Sequence, residues 1–156
     1  MISQTAEYAL RAIVCLADQA APKTTAAIAD QTRVPAGYLA KVMQGLSRSG
    51  VVHAQRGLHG GFVLVRPADQ LTVIDVINAV DPIRRFHECP LGLHGIHLCQ
   101  LHRKLDNTAK RIEEDLGKTT IADLIDSSTQ SKPLCGFPLS DLPESKQIES
   151  KITTSQ

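Results

Sequence analysis

Residues 34–67, VPAGYLAKVMQGLSRSGVVHAQRGLHGGFVLVRP, decide the architecture, because the periodicity of the chain changes within them. Pro35 sits where a helix tolerates proline, in its first turn, and the apolar residues that follow repeat every three to four positions. Leu39, Val42, Met43 and Leu46 make one stripe, and Tyr38, Lys41, Gly45 and Arg48 lie on the other side. Gly50 is the expected stop. Two β-branched runs then follow, Val51 to Arg56 and Phe62 to Arg66, separated by a turn carrying Gly57, Gly60 and Gly61, which predicts a hairpin. Upstream, Thr25 to Thr32 reads as a short helix joined to this one through "TRV", so the pair has the form of a helix-turn-helix. A hairpin placed directly after such a pair is the wing of a winged-helix module.

Working outward, Ala6, Ala9, Leu10, Ile13, Leu16 and Ala17 predict an amphipathic helix from Ser3 to Gln19, with Ser3 as its cap and Cys15 as a small buried residue. Beyond the hairpin, LTVIDVINAVDP supplies a helix from Thr72 to about Val80. Pro90, Gly92 and Gly95 then disfavour helix until about Leu98, where a long one begins and runs to Leu116, with Gly117 as its stop. Its narrow stripe of Leu101, Leu105, Ala109, Ile112 and Leu116 suits a partner helix, with packing on its own domain as the competing account. TTIADLID adds a short helix. After Ser127 the composition predicts no fixed structure. The expected class is mainly α: a winged helix-turn-helix with a two-stranded β wing and a long dimerisation helix. Its expected divisions are 1–81 for DNA binding, 82–98 for a loop, 99–127 for dimerisation and 128–156 for a tail.

The chain has 156 residues and a formal charge of +1, a near balance that conceals an asymmetry. Arg33, Lys41, Arg48, Arg56 and Arg66 fall between Gln31 and Ala68 without one Asp or Glu, which suits a face turned to a polyanion. Scarce aromatics and absent Trp argue against a stacking platform for single strands. Neither a signal peptide nor a membrane-length apolar run is recognisable, so the expectation is a cytoplasmic protein without a membrane partner. In the groove of duplex DNA, Tyr38 and Lys41 would stand near the reading end of the second helix, with Arg48 along the same side. Arg56 would reach phosphate or minor groove from the wing. His59 at the wing tip is a candidate phosphate contact, with a solvated loop histidine as the competing reading.

A second constellation lies at residues 88–102, ECPLGLHGIHLCQLH, which holds two cysteines and three histidines. Cys99 and His102 are three apart at a helix start and share a face, and Cys89 arrives from a loop that Gly92 and Gly95 let close. Thiolates with imidazole suit an iron–sulfur cluster or zinc, although no paired Cys-x-x-Cys knuckles of a zinc ribbon are present. The absence of a Cys-x-x-Cys redox motif, a phosphate loop and a nucleophile elbow argues against an enzyme.

EYALRAIVCLA, VPAGYLAKVMQGLSRSGVV, RGLHGGFVL and LTVIDVINAVDP, in that order and spacing, resemble the Rrf2 family of bacterial winged-helix regulators over about residues 1–127. The resemblance implies a homodimer on a palindromic site in double-stranded DNA, with contacts from Tyr38, Lys41, Arg56 and Gly57. Gly37, Ala40 and Lys41 depart from the serine, glutamate and glutamine of the family's cluster regulator, so a different operator is expected. Cluster-bearing members place three cysteines in the loop; here Cys89, Cys99 and His102 match the first cysteine and the last Cys-His pair. The middle cysteine is missing and His94 is the nearest substitute. Some members add an acidic residue from the first helix of the other subunit, which corresponds to Glu7, with ordinary surface charge as the competing account. With so few thiolates, a two-iron cluster is expected over a four-iron one. The expected function is transcriptional regulation through a cluster that senses redox state, nitric oxide or cluster supply. The alternative is the same fold without a cluster, using a thiol switch, zinc, a small molecule or a partner protein.

Overall fold

A computed structural model describes residues 2–18, 21–57, 60–92 and 97–125. His59, His94 and Cys135 lie outside the described residues, as does the tail. The described elements are α1 (Gln4–Ala17), α2 (Thr25–Thr32), α3 (Ala36–Arg48), β1 (Val52–Gln55), β2 (Gly61–Leu64), α4 (Val73–Val80), α5 (Gln100–Leu116) and α6 (Ile121–Ile125).

The central element is α1, which packs against α2, α3, α4, α6 and β2. Its Ser3 cap accepts from the Ala6 amide, satisfying one of the donors a helix start leaves unpaired. Ala6, Ala9, Ala12 and Ile13 are buried; the three alanines allow neighbouring helices close approach, and Ile13 fills the space between them. The α2–α3 joint turns at Arg33, whose φ of 57° is left-handed, an unusual state for a residue with a Cβ. Val34 is buried directly after it. Pro35 occupies the cap position, so α3 begins at Ala36, one residue later than the proline rule places it. Leu39, Val42, Met43 and Leu46 point inward as the stripe requires, and each large side chain so buried contributes about 1.5–3 kcal/mol.

The hairpin pairs Val52 with Leu64 and Gln55 with Gly61 in antiparallel register. Its strands are shorter than the β-branched runs, although beyond the Val52–Leu64 pair the Val65 amide still donates to the Val51 carbonyl at 3.0 Å. Lys23 adds a bridge on the outer side of β2, exchanging backbone hydrogen bonds with Phe62 at 3.1 and 2.8 Å. A Cβ on Gly61 would lie 2.6 Å from the Lys23 backbone, so glycine there serves this close approach.

Thr72 and Asp75 form a reciprocal capping box on α4. The chain returns after α5 through hydrogen bonds from Val73 to Thr119 and from Ile121 to Leu71, which place Ile121 in the same core as α1. Gly117 ends α5 in a right-handed conformation. A Cβ there would stand 3.0 Å from the Glu113 carbonyl oxygen, so close packing accounts for the glycine. No residue of α5 is buried. Leu101, Leu105 and Ile112 stay exposed at 63, 46 and 37%, and Leu105, Ala109, Ile112 and Leu116 border a groove of about 820 Å³ floored by Ile77, Ile83 and Phe86. Among the described residues, no helix is long and apolar enough to cross a membrane.

Candidate DNA-reading face and metal centre

The outer side of α3 exposes Gly37, Ala40, Lys41, Gln44 and Arg48. Among the described residues, Lys41 and Arg48 make no ion pair, and the same holds for Arg33 and for Arg56 at the end of β1. Arg66, the fifth cation of the basic block, is instead tied to Asp75 at 3.2 Å. Four positive side chains thus remain available to an anion, which is how a protein holds phosphates and releases counterions. Tyr38 is half-exposed. Its hydroxyl shares a 2.6 Å hydrogen bond with Thr5, and its ring meets Tyr8 edge-on at 5.4 Å, so it stands where α3 meets α1. Gly57 has φ of 121°, and its left-handed turn directs the chain into the wing tip.

Gln44 escaped the sequence reading. It follows Lys41 by one helical step on the exposed face, and an uncharged amide carries no compositional signal, although it can read base edges.

On the opposite part of the chain, Cys89, Cys99 and His102 converge, with their ligand atoms all within 4.8 Å of one another. His102 Nδ1 lies 3.1 Å from Cys99 Sγ and 3.7 Å from Cys89 Sγ. Cys99 caps the N-terminus of α5. The backbone amide of His102 there favours a thiolate and holds the Cys99 thiol below its ordinary range, helped by the Leu101 amide and the Cys89 thiol and opposed by burial. Cys89 is buried. The His102 ring is backed by Phe86 at 5.1 Å between centroids. His97 is exposed and does not join the group. Glu7 pairs with Arg11 at 2.5 Å on α1 and likewise stands outside this group of three.

The loop is mounted on α5 by a clamp that no sequence motif announced. Arg85 donates from Nε and Nη2 to both oxygens of Asp106, at 2.7 and 2.9 Å, and from Nη1 to Glu113 at 2.7 Å. The Asp106 carboxylate also accepts from the Phe86 amide at 2.9 Å. These bonds, Arg85 first, hold its carboxyl down to about 2 and raise the Arg85 guanidinium. Phe86 is thereby held against the imidazole ring.

The sequence pattern of Rrf2, described as iron-dependent transcriptional regulator, matches residues 2–127. The chain belongs to the Rrf2 family. It is 33% identical over 146 residues to a protein of Aquifex aeolicus provisionally named as an HTH-type transcriptional regulator, covering 90% of this chain and 99% of that one. Its fold is similar to that of CymR, the global cysteine regulator of B. subtilis, with a TM-score of 0.67, 26% identity, and coverage of 83 and 98% of the two chains. IscR of T. potens has a TM-score of 0.68 at 23% identity, with coverage of 83 and 89%; at that identity the likeness concerns the fold. As a member of the Rrf2 family the chain is a DNA-binding transcriptional regulator and not an enzyme, and the mainly helical structure with its two-stranded wing is the winged helix expected from residues 34–67.

Proposed function

We propose that this Rrf2 regulator acts as a homodimer that reads a palindromic duplex through α3 and the wing, and that the state of the Cys89–Cys99–His102 centre sets its affinity for that site. The observation that carries the reading is the convergence of two sulfurs and an imidazole within 4.8 Å where the loop meets α5. A change at that point alters the mounting of the exposed α5 stripe, and with it the spacing of two recognition helices, which must fit half-sites about one DNA turn apart. Lys41, Arg48 and Arg56 supply the phosphate charge, Tyr38 and Gly57 shape the two ends of the reading surface, and His59 is a further candidate at the wing tip. The family resemblance implies an iron–sulfur cluster here, two-iron by preference, on Cys89, Cys99 and His102, with His94 of the same chain and Glu7 of the partner subunit as supplementary ligands; a metal group held by these residues would supply a redox- or ligand-sensitive charge. The proximity of the two sulfurs also favours a second reading, a thiol switch in which Cys89 and Cys99 pass two electrons and two protons to an external peroxide and form a disulfide.

The test is a gel-shift titration on duplex promoter DNA across a salt series. Lys41→Ala and Arg56→Ala should each weaken binding. A residue confined to phosphate lowers affinity on all sequences and flattens the salt slope by about one, whereas a base contact relaxes discrimination by roughly 1–3 kcal/mol at one position. Unchanged binding by both variants would remove α3 and the wing from the reading surface.

A further inference from the structure

From the donor distances we infer that the Cys89–Cys99–His102 centre takes a single divalent transition-metal ion of the zinc or ferrous class, in a tetrahedral thiolate–imidazole shell, instead of an iron–sulfur cluster. The inference rests on the metal-sensing reading above and names its occupant. A tetrahedral ion with metal–sulfur bonds of about 2.3 Å and metal–nitrogen bonds of about 2.0–2.1 Å sets its donors about 3.5–3.8 Å apart. The imidazole nitrogen lies 3.1 and 3.7 Å from the two sulfurs, and every pair of donors is within 4.8 Å. The shell of one ion is therefore nearly formed.

A cluster makes a different demand. Its protein ligands are divided among separate irons, so three ligands from one protomer must straddle at least two metals, farther apart than two donors on one. The loop would have to open to admit it. The Arg85–Asp106–Glu113 clamp and the Phe86 backing of His102 fix the imidazole donor and the segment that leads to Cys89 against α5, which opposes a wider spacing. Two thiolates and one imidazole suit an ion of borderline softness. The ion displaces the protons of the two thiols as it binds, and the three donors leave the fourth tetrahedral position to water or an exchangeable ligand, as in zinc sites that keep an open position.

Anaerobic, reduced, metal-free full-length protein should be titrated with Co²⁺ as a visible probe, then with Zn²⁺ in competition. The expected result is one Co²⁺ per protomer, with thiolate-to-cobalt charge transfer and the strong ligand-field bands of a tetrahedral site, all displaced by Zn²⁺. His102→Ala and Cys99→Ser, checked for wild-type circular dichroism, should each lower Co²⁺ affinity at least tenfold. Reconstitution with ferrous iron and sulfide that instead yields acid-labile sulfide matching the iron, in preference to bound Co²⁺, overturns the single-ion assignment while leaving the metal-sensing reading intact. Protein that takes up neither Co²⁺ nor iron and sulfide, with duplex affinity indifferent to both treatments, overturns the two together.

Discussion

Gly61 and Gly37 are one residue type under opposite constraints. At Gly61 the space for a side chain is filled by the Lys23 backbone, and Lys23 is itself buried, its ammonium donating to the Cys15 carbonyl at 2.8 Å and to Gln31 at 2.9 Å. Cys15 Sγ donates to the same Gln31 oxygen at 2.8 Å. Gly61→Ala must therefore push the Lys23 segment off β2, an overpacking that costs about 1–3 kcal/mol, and should misplace the wing. At Gly37 nothing stands within 4 Å of the added methyl, and alanine favours helix over glycine by up to about 1 kcal/mol. Gly37→Ala should hold or raise stability. Urea denaturation of both variants checks the opposite signs; a Gly61→Ala protein as stable as the parent would show that the bridge yields freely.

Among the elements, the mounting of the loop on α5 depends on ionisation. Asp106 has its carboxyl held at about 2, below its ordinary value of 3.8, chiefly by Arg85. A depressed carboxyl contributes stability that is fully present above the unfolded pKa and is lost as pH falls through the folded one. The clamp should therefore be intact from neutral pH to about pH 4 and should release as pH falls toward about 2. The Phe86 amide, which donates to Asp106, reports this directly: its NMR resonance should titrate with a midpoint near 2 in the parent and lose that transition in Asp106→Asn. A midpoint at the ordinary carboxylate value would mean that the clamp is absent in solution.

For the whole molecule, the decisive feature is an apolar stripe left unburied. A lone protomer exposes Leu101, Leu105 and Ile112, the last two along the groove beside Phe86, and a helix with an apolar seam and no buried residue is suited to pairing with a second copy. Because Leu105 and Ile112 are exposed in the protomer, Leu105→Asp and Ile112→Asp should abolish self-association without unfolding the winged helix. An unpaired charge is costly only once the seam closes over it. Light scattering beside circular dichroism separates the outcomes: a folded monomer is expected, and a parent chain that is already monomeric at micromolar concentration would remove the seam and the palindromic site together.

The switch from helical to alternating periodicity between Leu46 and Phe62, the glycine turn and the capping residues are local properties, so the winged helix and the run of basic residues along it were legible in residue order alone. Cys99 and His102 were legible for the same reason, since one helical turn joins them. What residue order could not supply is anything that depends on the approach of distant segments. The burial of Lys23 beside Cys15, the clamp from Arg85 across to Asp106 and Glu113 and the closing distance of Cys89 to His102 join positions between eight and 28 residues apart. No periodicity links such positions. Only the packing of α1, α4 and α6 around one core, with the loop clamped to α5, determines which of the loop's polar residues meet.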